Sequence, residues 1–427
     1  MPTSGDLDGF KYADDMSLLS IADTLNNAAI QLQQHCQLLE DWCNKWRLTV
    51  NCKKGKTECI IMDFTNQSTS ASIPVQFVPA ITINNQEISL VEKSPVLGVL
   101  IDKDLNNVAQ CNAVKAKLCY KWWQVKKYCN PNWGLKLKTV MIIVNATILP
   151  TLFYAAPSWL HTRKSLEVFN PLLYQMLTIA CGSYYKPDRK TLECITGFVP
   201  LETQLSVISS KFLLKNFIQH VPDSLTCTIT ACAPLQKHFV SEHINNLKRY
   251  LAFSLDARSL NTIDLENDTV KAHKYTKASI DRYKSYCWNK TLSHNPPLSG
   301  IIPPSDLKVL NLPCSRKLES FIISLIHGHN ILNQFRFNRS LTGSPLCLCL
   351  KSVESADHIL HCEIASPVLL VARKSLQETC CELGVDFTIP MIINCRDKEL
   401  LHALAAYFSE VLAIRSDFID RDLRYFS

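Results

Sequence analysis

The sequence predicts an α+β fold in which short strands and one long helix come first and a mostly helical part follows. Short apolar runs separated by turn residues fill residues 9–101, whereas apolar positions three or four apart dominate beyond Asp102. A small Cys/His element lies within residues 346–366. With 427 residues, 47% of them hydrophobic, the chain can bury more than one core and is too apolar to be disordered.

The first elements are a predicted hairpin and helix. Residues 9–19 are apolar on either side of Asp14 and Asp15, which favours two short strands joined by a tight turn. From Ala22 to Trp46 apolar residues recur every three or four positions, which predicts an amphipathic helix. A strand, a Lys/Gly-rich turn and a second strand are then expected across residues 48–64.

Further short strands are predicted at residues 80–83, 87–90 and 96–101. Helices follow, and prolines within residues 293–304 indicate a junction between them. The clearest helical stripe is Cys111, Val114, Leu118, Trp122, Val125 and Cys129.

Positive charge is concentrated in one part of the chain. Lys and Arg number 45 against 38 Asp and Glu, for a net charge of +7. Residues 103–215 alone carry fifteen basic against five acidic residues, a local charge of +10. This excess predicts a polyanionic partner, most commonly nucleic acid, with a solvated basic surface as the alternative interpretation.

Cysteine usage and the apolar segments indicate an intracellular protein, nuclear or cytoplasmic, with no membrane partner. The nineteen cysteines are spread mostly singly among apolar neighbours, and the first residues do not have the pattern of a secretory signal. The uncharged stretch 139–162 is interrupted by Pro150 and Pro157. We therefore expect buried helices there rather than a membrane span.

Asp14 and Asp15 form a candidate metal site at the turn of the predicted hairpin. Paired carboxylates hold Mg²⁺, and metal ions held in this way support nucleotidyl transfer. The apolar flanks would anchor the strands while the turn projects both carboxylates. The alternative interpretation is an ordinary turn, because Asp is common in turns.

The segment Phe10-Lys-Tyr-Ala-Asp-Asp resembles the Tyr-x-Asp-Asp box of reverse transcriptases. The following helix, the segment Trp42-Cys-Asn-Lys-Trp-Arg-Leu-Thr-Val-Asn-Cys-Lys-Lys-Gly-Lys-Thr and the strand Val96-Leu-Gly-Val-Leu-Ile-Asp resemble the LINE-type (non-LTR) retrotransposon family in the same order. The resemblance implies a transposable-element RNA-directed DNA polymerase, a nucleotidyltransferase that binds RNA and DNA. It also implies that Asp14 and Asp15 are catalytic ligands of Mg²⁺.

Two further site residues follow from the resemblance. One Lys of the family's second motif is associated with the leaving pyrophosphate. Lys54 stands three residues after Asn51, as in the motif, whereas Lys56 is the one followed by Thr57, and we favour Lys56. The third motif is a strand that grips the primer end, where Gly98 would allow the backbone to approach nucleic acid closely. A plain buried strand is the alternative for that motif.

The Lys/Trp-rich helix after Asp102 resembles the family's thumb, which implies lysines facing the phosphate backbone of a duplex. Trp122 lies on the apolar stripe and is expected in the core, which leaves Trp123 as the candidate for base stacking. The candidate nucleic-acid-binding residues are Gly98, Lys115, Lys117, Lys121, Trp123, Lys126 and Lys127.

Cys347, Cys349, His358 and Cys362 form a Cys-x-Cys-x8-His-x3-Cys array. Four such ligands suit a tetrahedral, structural Zn²⁺, and Ser355 can cap the helix that carries His358. The array resembles the family's C-terminal zinc-knuckle-like motif, although Cys-x-Cys is tighter than the usual spacing. A chance cluster, or His361 in place of His358, are the alternatives.

The resemblance implies a partial reverse-transcriptase palm, then a helical thumb and C-terminal region. The expected organisation is residues 1–105 as partial palm, 106–245 as thumb and connection, 246–345 as helical linker, 346–366 as zinc-knuckle-like motif and 367–427 as C-terminal helices. The family also uses an Asp well upstream of the Asp-Asp turn, and Asp6 and Asp8 are not assigned to that role. We therefore expect the chain alone to be catalytically incomplete, or retained as a nucleic-acid-binding or zinc-stabilised interaction protein.

Overall fold

The computed structural model divides the chain into two compact units, Met1–Ala113 and Val114–Ser427, which are described separately below. The described residues are 9–12, 14–62, 79–159, 163–183, 185–205, 207–208, 309–362 and 366–422. Three predicted features lie outside them: the end of the strand at 63–64, most of the linker 246–345 and the junction at 293–304.

The first unit holds all the named strands of the described residues and one long helix. The strands are β1 Gly9–Tyr12, β2 Asp15–Leu18, β3 Glu58–Cys59, β4 Thr82–Ile83, β5 Gln86–Glu87, β6 Ser89–Leu90, β7 Lys93–Val96 and β8 Val99–Asp102. Helix α1 is Leu25–Lys45, and α2, Val108–Lys126, begins in this unit and continues into the second.

Helix α1 organises the first unit. Its N-cap Thr24 accepts a hydrogen bond from the Asn27 N–H, and Ala29 and Cys36 are buried on one face. These residues share a core with Ile81, Ile83 and Ile88, against which Leu18 of β2 packs. The predicted hairpin and the predicted helix are both confirmed, since local periodicity defined each of them.

A side chain of α1 forms hydrogen bonds with the edge of β4 that does not pair with β5. The Gln33 amide donates to the Thr82 carbonyl at 2.9 Å and accepts the Thr82 N–H at 2.8 Å. Both backbone groups of an otherwise unpaired strand edge are satisfied in this way. The core of the first unit therefore forms from a helix and several short strand pairs.

Three strand predictions are corrected by the structure. The predicted single strand 87–90 is split between β5, which pairs with β4, and β6, which pairs with β3. No strand precedes the turn at residues 53–56 within the described part of 48–62, and β3 is a short strand that pairs in parallel with β6. The predicted single strand 96–101 is instead split between β7 and β8, which pair antiparallel across Leu97 and Gly98. Both of these residues have positive φ, +47° and +79°, which reverses the chain.

The second unit is helical. Its elements are the rest of α2, then α3 Leu137–Ile143, a π-helical turn Val144–Ile148, α4 Leu149–Phe153, α5 Ala156–Trp159, α6 Arg163–Ala180, α7 Arg189–Thr196, α8 Arg316–Ile326, α9 Asn333–Asn338, α10 Ala356–His361, α11 Pro367–Glu382, α12 Ile389–Cys395 and α13 Lys398–Asp422. A mixture of helices with a few short strands agrees with the predicted α+β class.

The uncharged stretch after residue 139 is a series of short helices that each bury only part of their surface, since Ile142 and Tyr154 are exposed. The π-helical turn Val144–Ile148 precedes Pro150, which cannot donate a hydrogen bond to a carbonyl one turn earlier. Leu152 and Trp159 are fully buried. Among the described residues, no helix has the length and apolar character needed to cross a membrane.

A buried ion pair lies at the start of α8. Arg316 and Glu319 approach to 2.8 Å, and the second partner of Glu319 is the Leu137 N–H at the start of α3. Arg316 also donates to the Ala180 carbonyl at the end of α6. Three helix ends are thereby joined through one pair of charges, which satisfies backbone groups that the helices leave unbonded.

Candidate functional site

The Asp-Asp turn is exposed at the tip of the first hairpin. The register pairs Tyr12 with Asp15 and Gly9 with Leu18, so Asp14 lies in the tight connection and Asp15 begins β2. Both carboxylates are exposed to solvent. Leu18 at the opposite end of the hairpin packs on the core of the first unit. The hairpin therefore presents two adjacent carboxylates, although the described residues bring no third carboxylate or histidine to form a larger ligand group there.

The Lys-rich turn after α1 is built by Asn51 and Thr57. The Asn51 side chain accepts the Lys53 N–H, and the Thr57 hydroxyl donates to the Asn51 carbonyl at 2.9 Å. Lys54 and Lys56 are both exposed on this turn. Asn51 and Thr57 therefore shape the turn that carries the lysines, and both lysines stay candidates for the pyrophosphate role.

Gly98 lies at the tip of the β7–β8 hairpin rather than inside a strand. The two strands of the hairpin are held by the Ser94 hydroxyl, which donates to Glu58 at 2.6 Å, and by the Leu100 N–H, which donates to the buried Gln110 side chain at 2.9 Å. The exposed backbone at Gly98 has no side chain to obstruct a ligand. Close approach of nucleic acid to this tip stays a prediction.

Helix α2 has a buried apolar face and an exposed face that carries several lysines. Of the predicted stripe, Cys111, Val114, Leu118, Trp122 and Cys129 are buried and Val125 is half-buried; Cys129 lies just beyond the end of α2. Trp122 is only 4% exposed, whereas its neighbour Trp123 is 65% exposed. Lys115, Lys117, Lys126 and Lys127 are exposed as well. The sequence therefore distinguished the core tryptophan from the surface tryptophan correctly.

Aromatic and basic side chains are adjacent at the C-terminal end of α2 and in the turn that follows it. The Lys127 ammonium lies 6.0 Å from the centre of the Trp123 ring and 5.1 Å from that of Tyr128. Lys121 differs from the other predicted lysines, because its ammonium donates to the Thr151 hydroxyl at 2.5 Å. It is thereby held against α4, and we do not include it among the lysines available to a phosphate.

The four predicted zinc ligands converge. The Sγ atoms of Cys347 and Cys362 are 3.6 Å apart, and the Sγ of Cys349 is 3.3 Å from Nε2 of His358. All four ligand atoms lie within 4.8 Å of one another, and within the described residues this is the only group of three or more such side chains. These separations and the donor set fit one tetrahedral ion.

Local structure explains how the ligands meet. The Ser355 hydroxyl accepts the His358 N–H at 3.0 Å and caps α10, as predicted. Cys362 caps the other end of α10 with an extended backbone, so it lies just beyond the helix rather than within it. His361 is turned away and packs on Phe387, with ring centres 5.3 Å apart. The alternative ligand set with His361 is therefore not the one that this geometry brings together.

The pKa values of the candidate ligands are shifted in different directions. Burial raises the pKa of the Cys347 thiol to about 12. Backbone N–H groups, first that of Lys351, lower the pKa of Cys349. Burial, followed by the charge of Arg415, lowers the pKa of His358, which favours the neutral imidazole. A metal ion bound here would replace the proton of Cys347, because thiolates are the metal-binding form.

Three residues that local sequence patterns missed support the Cys/His group. Arg415 of α13 donates from Nη2 to Cys347 Sγ at 3.4 Å, and Arg373 of α11 donates to the Cys362 carbonyl. The Tyr407 hydroxyl donates to the Ile359 carbonyl at 2.5 Å. The one sequence signal for Arg415 is a lone charge on an otherwise apolar helix face.

Comparison with known proteins identifies relatives of one kind. The chain is 20% identical over 360 residues to the Retrovirus-related Pol polyprotein from type-1 retrotransposable element R1 2 of Nasonia vitripennis, which covers 82% of the chain and 76% of that protein. It is 22% identical over 202 residues to the RNA-directed DNA polymerase from mobile element jockey of Drosophila funebris, covering 47% of the chain and 21% of that protein.

A third relative is the Pol polyprotein from element R1 4 of Nasonia vitripennis, 28% identical over 140 residues, or 32% of the chain and 35% of that protein. The chain thus spans about a fifth of the jockey polymerase and about three quarters of the R1 2 protein. No family model matches the chain, and no solved structure matches it. The chain is therefore similar to RNA-directed DNA polymerases of non-LTR retrotransposons, at low identity.

Proposed function

We propose that the chain belongs to the catalytic and nucleic-acid-binding part of a non-LTR retrotransposon reverse transcriptase. The observation that carries this proposal is the hairpin that exposes Asp14 and Asp15, in a chain similar to a retrotransposon Pol polyprotein over 82% of its length. Asp14 and Asp15 would hold Mg²⁺, which would supply charge stabilisation during nucleotidyl transfer. Lys56, on its exposed turn, is the candidate proton donor to the leaving pyrophosphate.

Catalysis would require a further carboxylate beside the hairpin. Holding two metal ions for nucleotidyl transfer would take more carboxylate ligands than Asp14 and Asp15, and the described residues place only these two at the tip. We propose that the residues present here bind and orient nucleic acid but do not complete the polymerase site. A palm segment that carries another Asp would complete it.

Primer extension tests this proposal. The 427-residue chain should show no template-dependent extension with Mg²⁺ or Mn²⁺. Extension should appear when a palm segment with the additional Asp is joined to it, and Asp14→Ala or Asp15→Ala should then abolish it. Asp41→Ala, which changes an exposed carboxylate on α1, is the matched control. Extension by the chain alone, lost in Asp14→Ala, would show that the site is already complete.

Nucleic-acid binding is assigned to the exposed face of α2. Lys126 and Lys127 are available for phosphates, and Trp123 lies beside Lys127 where a base can stack on its ring. Phosphate contacts of this kind carry no sequence information. We therefore propose binding that is sensitive to salt and tolerant of base sequence.

Two pairs of variants test the α2 assignment. Lys126→Gln with Lys127→Gln should reduce the slope of log K against log salt by roughly 1 to 2, whereas Lys374→Gln with Lys398→Gln, which changes exposed lysines elsewhere, should not. Trp123→Ala should weaken single-strand binding by about 1–3 kcal/mol, while the similarly exposed Trp133 can be replaced by Ala without effect. Equal effects of the test and control variants would refute the assignment.

We also propose that Cys347, Cys349, His358 and Cys362 bind one structural Zn²⁺. Support comes from the convergence of all four ligand atoms within 4.8 Å. Metal analysis of the purified chain should give about one zinc per molecule, as expected for a single closed site. Cys349→Ser with Cys362→Ser should remove it, while Cys119→Ser with Cys381→Ser, at exposed cysteines elsewhere, should not. Stoichiometry near zero in the wild type would exclude the site.

A second function, nucleic-acid binding without catalysis, has one specific observation in its favour. The Cys/His group already has all four ligands in place, whereas the hairpin offers only two carboxylates among the described residues. A retained binding protein would keep the α2 face and the Cys/His group. Binding without any extension, even after a palm segment is supplied, would favour this second function.

A further inference from the structure

Arg415 belongs to α13 but contacts a ligand of the Cys/His group 68 residues earlier in the chain. Its Nη2 atom is 3.4 Å from Cys347 Sγ, and its Nε atom is 2.9 Å from the Glu354 carboxylate. Arg415 and Glu354 are each only 5% exposed. An unpaired charge in the protein interior is costly. Both contacts are therefore needed for Arg415 and Glu354 to stay buried.

Glu354 extends this contact to another helix. Its second carboxylate oxygen accepts the Asn333 N–H at 2.8 Å at the start of α9, and its backbone carbonyl accepts the Gln334 N–H at 3.3 Å. An anionic group at a helix N-terminus satisfies unbonded N–H groups and is favoured by the helix dipole. One chain of hydrogen bonds therefore connects Cys347, Arg415, Glu354 and α9.

We propose that Arg415 is a positioning residue that couples metal binding at Cys347 to the docking of α13 on the Cys/His group. The proposal rests on the zinc site proposed above. Three thiolates and a neutral imidazole around Zn²⁺ carry a net negative charge, and a guanidinium that donates to one thiolate reduces that charge and fixes the sulfur in place. The contact between the guanidinium and Cys347 would be strongest when the sulfur is a metal-bound thiolate, because hydrogen bonds to charged acceptors are stronger than those to neutral ones.

The substitution Arg415→Gln tests the proposal in the full-length chain. The affinity for Zn²⁺ is measured by competition with a chelator, and Co²⁺ serves as a spectroscopic probe of the same site. Affinity for Zn²⁺ should fall about 10- to 100-fold, the usual effect of losing a partner of a metal ligand. The thiolate-to-Co²⁺ charge-transfer band should move to lower energy, because a thiolate without its hydrogen bond is a stronger donor. A general loss of stability would not move that band.

Arg189→Gln is the matched control, since it breaks another Arg–Glu ion pair, with Glu193 at 2.8 Å, that does not touch the Cys/His group. Arg189→Gln should leave both the affinity for Zn²⁺ and the energy of the Co²⁺ charge-transfer band unchanged. Arg415→Lys keeps the charge but has a single ammonium in place of the forked guanidinium, so an intermediate affinity is expected. Wild-type affinity and an unshifted band in Arg415→Gln would overturn the proposal.

A measurement without substitution covers the case in which Arg415→Gln does not fold. Removal of metal from the wild-type chain by a chelator should increase amide hydrogen exchange around Arg415 in α13 as well as in α10. Increased exchange in α10 alone would overturn the coupling while leaving the zinc site intact. If the wild-type chain binds no metal at all, the zinc site itself fails, and with it this inference.

Discussion

At the scale of single residues, the most informative positions are charges buried inside the helical unit. Glu193 of α7 is only 6% exposed. Burial raises its pKa to about 7, although the neighbouring Arg189 acts in the opposite direction. A carboxyl whose pKa is raised in the folded state stabilises the fold most when protonated, so its contribution is lost as pH rises through about 7.

We therefore predict that unfolding free energy falls between about pH 4.5 and pH 7 by up to about 3 kcal/mol from Glu193, and that Glu193→Gln flattens this part of the profile. Urea unfolding at several pH values measures it. Glu382→Gln, at an exposed carboxyl, should leave the profile unchanged. A Glu193→Gln profile parallel to that of the wild type would contradict the prediction.

The buried pair Arg316 and Glu319 leads to a second prediction. Arg316→Met leaves Glu319 buried without its cation and should cost about 3–5 kcal/mol of stability. Adding Glu319→Gln should recover part of this loss, since a neutral amide can still accept the Leu137 N–H. Denaturant unfolding of the two single variants and the double variant measures the coupling. Additive losses would show that the two charges do not depend on each other.

At the scale of elements, the β7–β8 hairpin depends on two residues with positive φ. Gly98 adopts φ +79° freely, whereas Leu97 at φ +47° carries a side chain that opposes this conformation. The Asn-Gly pair is the preferred sequence for such a turn. The hairpin therefore contains one residue suited to its conformation and one that is strained.

Two substitutions at this turn should change the stability of the first unit in opposite directions. Gly98→Ala should destabilise the first unit by about 1 kcal/mol, and Leu97→Asn should stabilise it by some tenths of that amount. Gly343→Ala, at a glycine with open space around it, is the control and should be nearly neutral. Hydrogen exchange of the β7–β8 amides reports the change. Destabilisation by both Leu97→Asn and Gly98→Ala would rule out this turn geometry.

At the scale of the whole molecule, each of the two compact units has its own core. The first is built around Ala29, Cys36, Ile81 and Ile83, and the second around residues such as Trp159, Phe321 and Phe408. All four proposed zinc ligands belong to the second unit. A metal ion that binds only the folded state adds stability to the unit that contains its ligands.

Removal of the metal by a chelator should therefore destabilise the second unit alone. Calorimetry is expected to resolve separate transitions for the two cores, and a chelator should lower only that of the second unit. A metal present at about a hundred times its dissociation constant contributes about 2.7 kcal/mol, which would be lost on chelation. Equal shifts of both transitions, or no shift, would be inconsistent with a structural metal confined to the second unit.

What the sequence predicted well depends on residues near one another in the chain. The Asp14–Asp15 hairpin, helix α1 and the buried stripe of α2 follow from alternation or from spacings of three and four. The Cys/His ligands could be selected because metal ligands recur at short, characteristic spacings. Sequence alone therefore determined the candidate carboxylates, the surface tryptophan of α2 and the candidate zinc ligands.

Tertiary structure alone decided features that join distant residues. The partner of Gln33 is Thr82, Glu319 satisfies the N–H of Leu137, and Arg415 reaches Cys347. None of these pairs has a local pattern, because a buried polar group takes whichever partner the packed chain places beside it. Local periodicity determines which face of an element is buried, and only the folded chain determines which charges meet across the core.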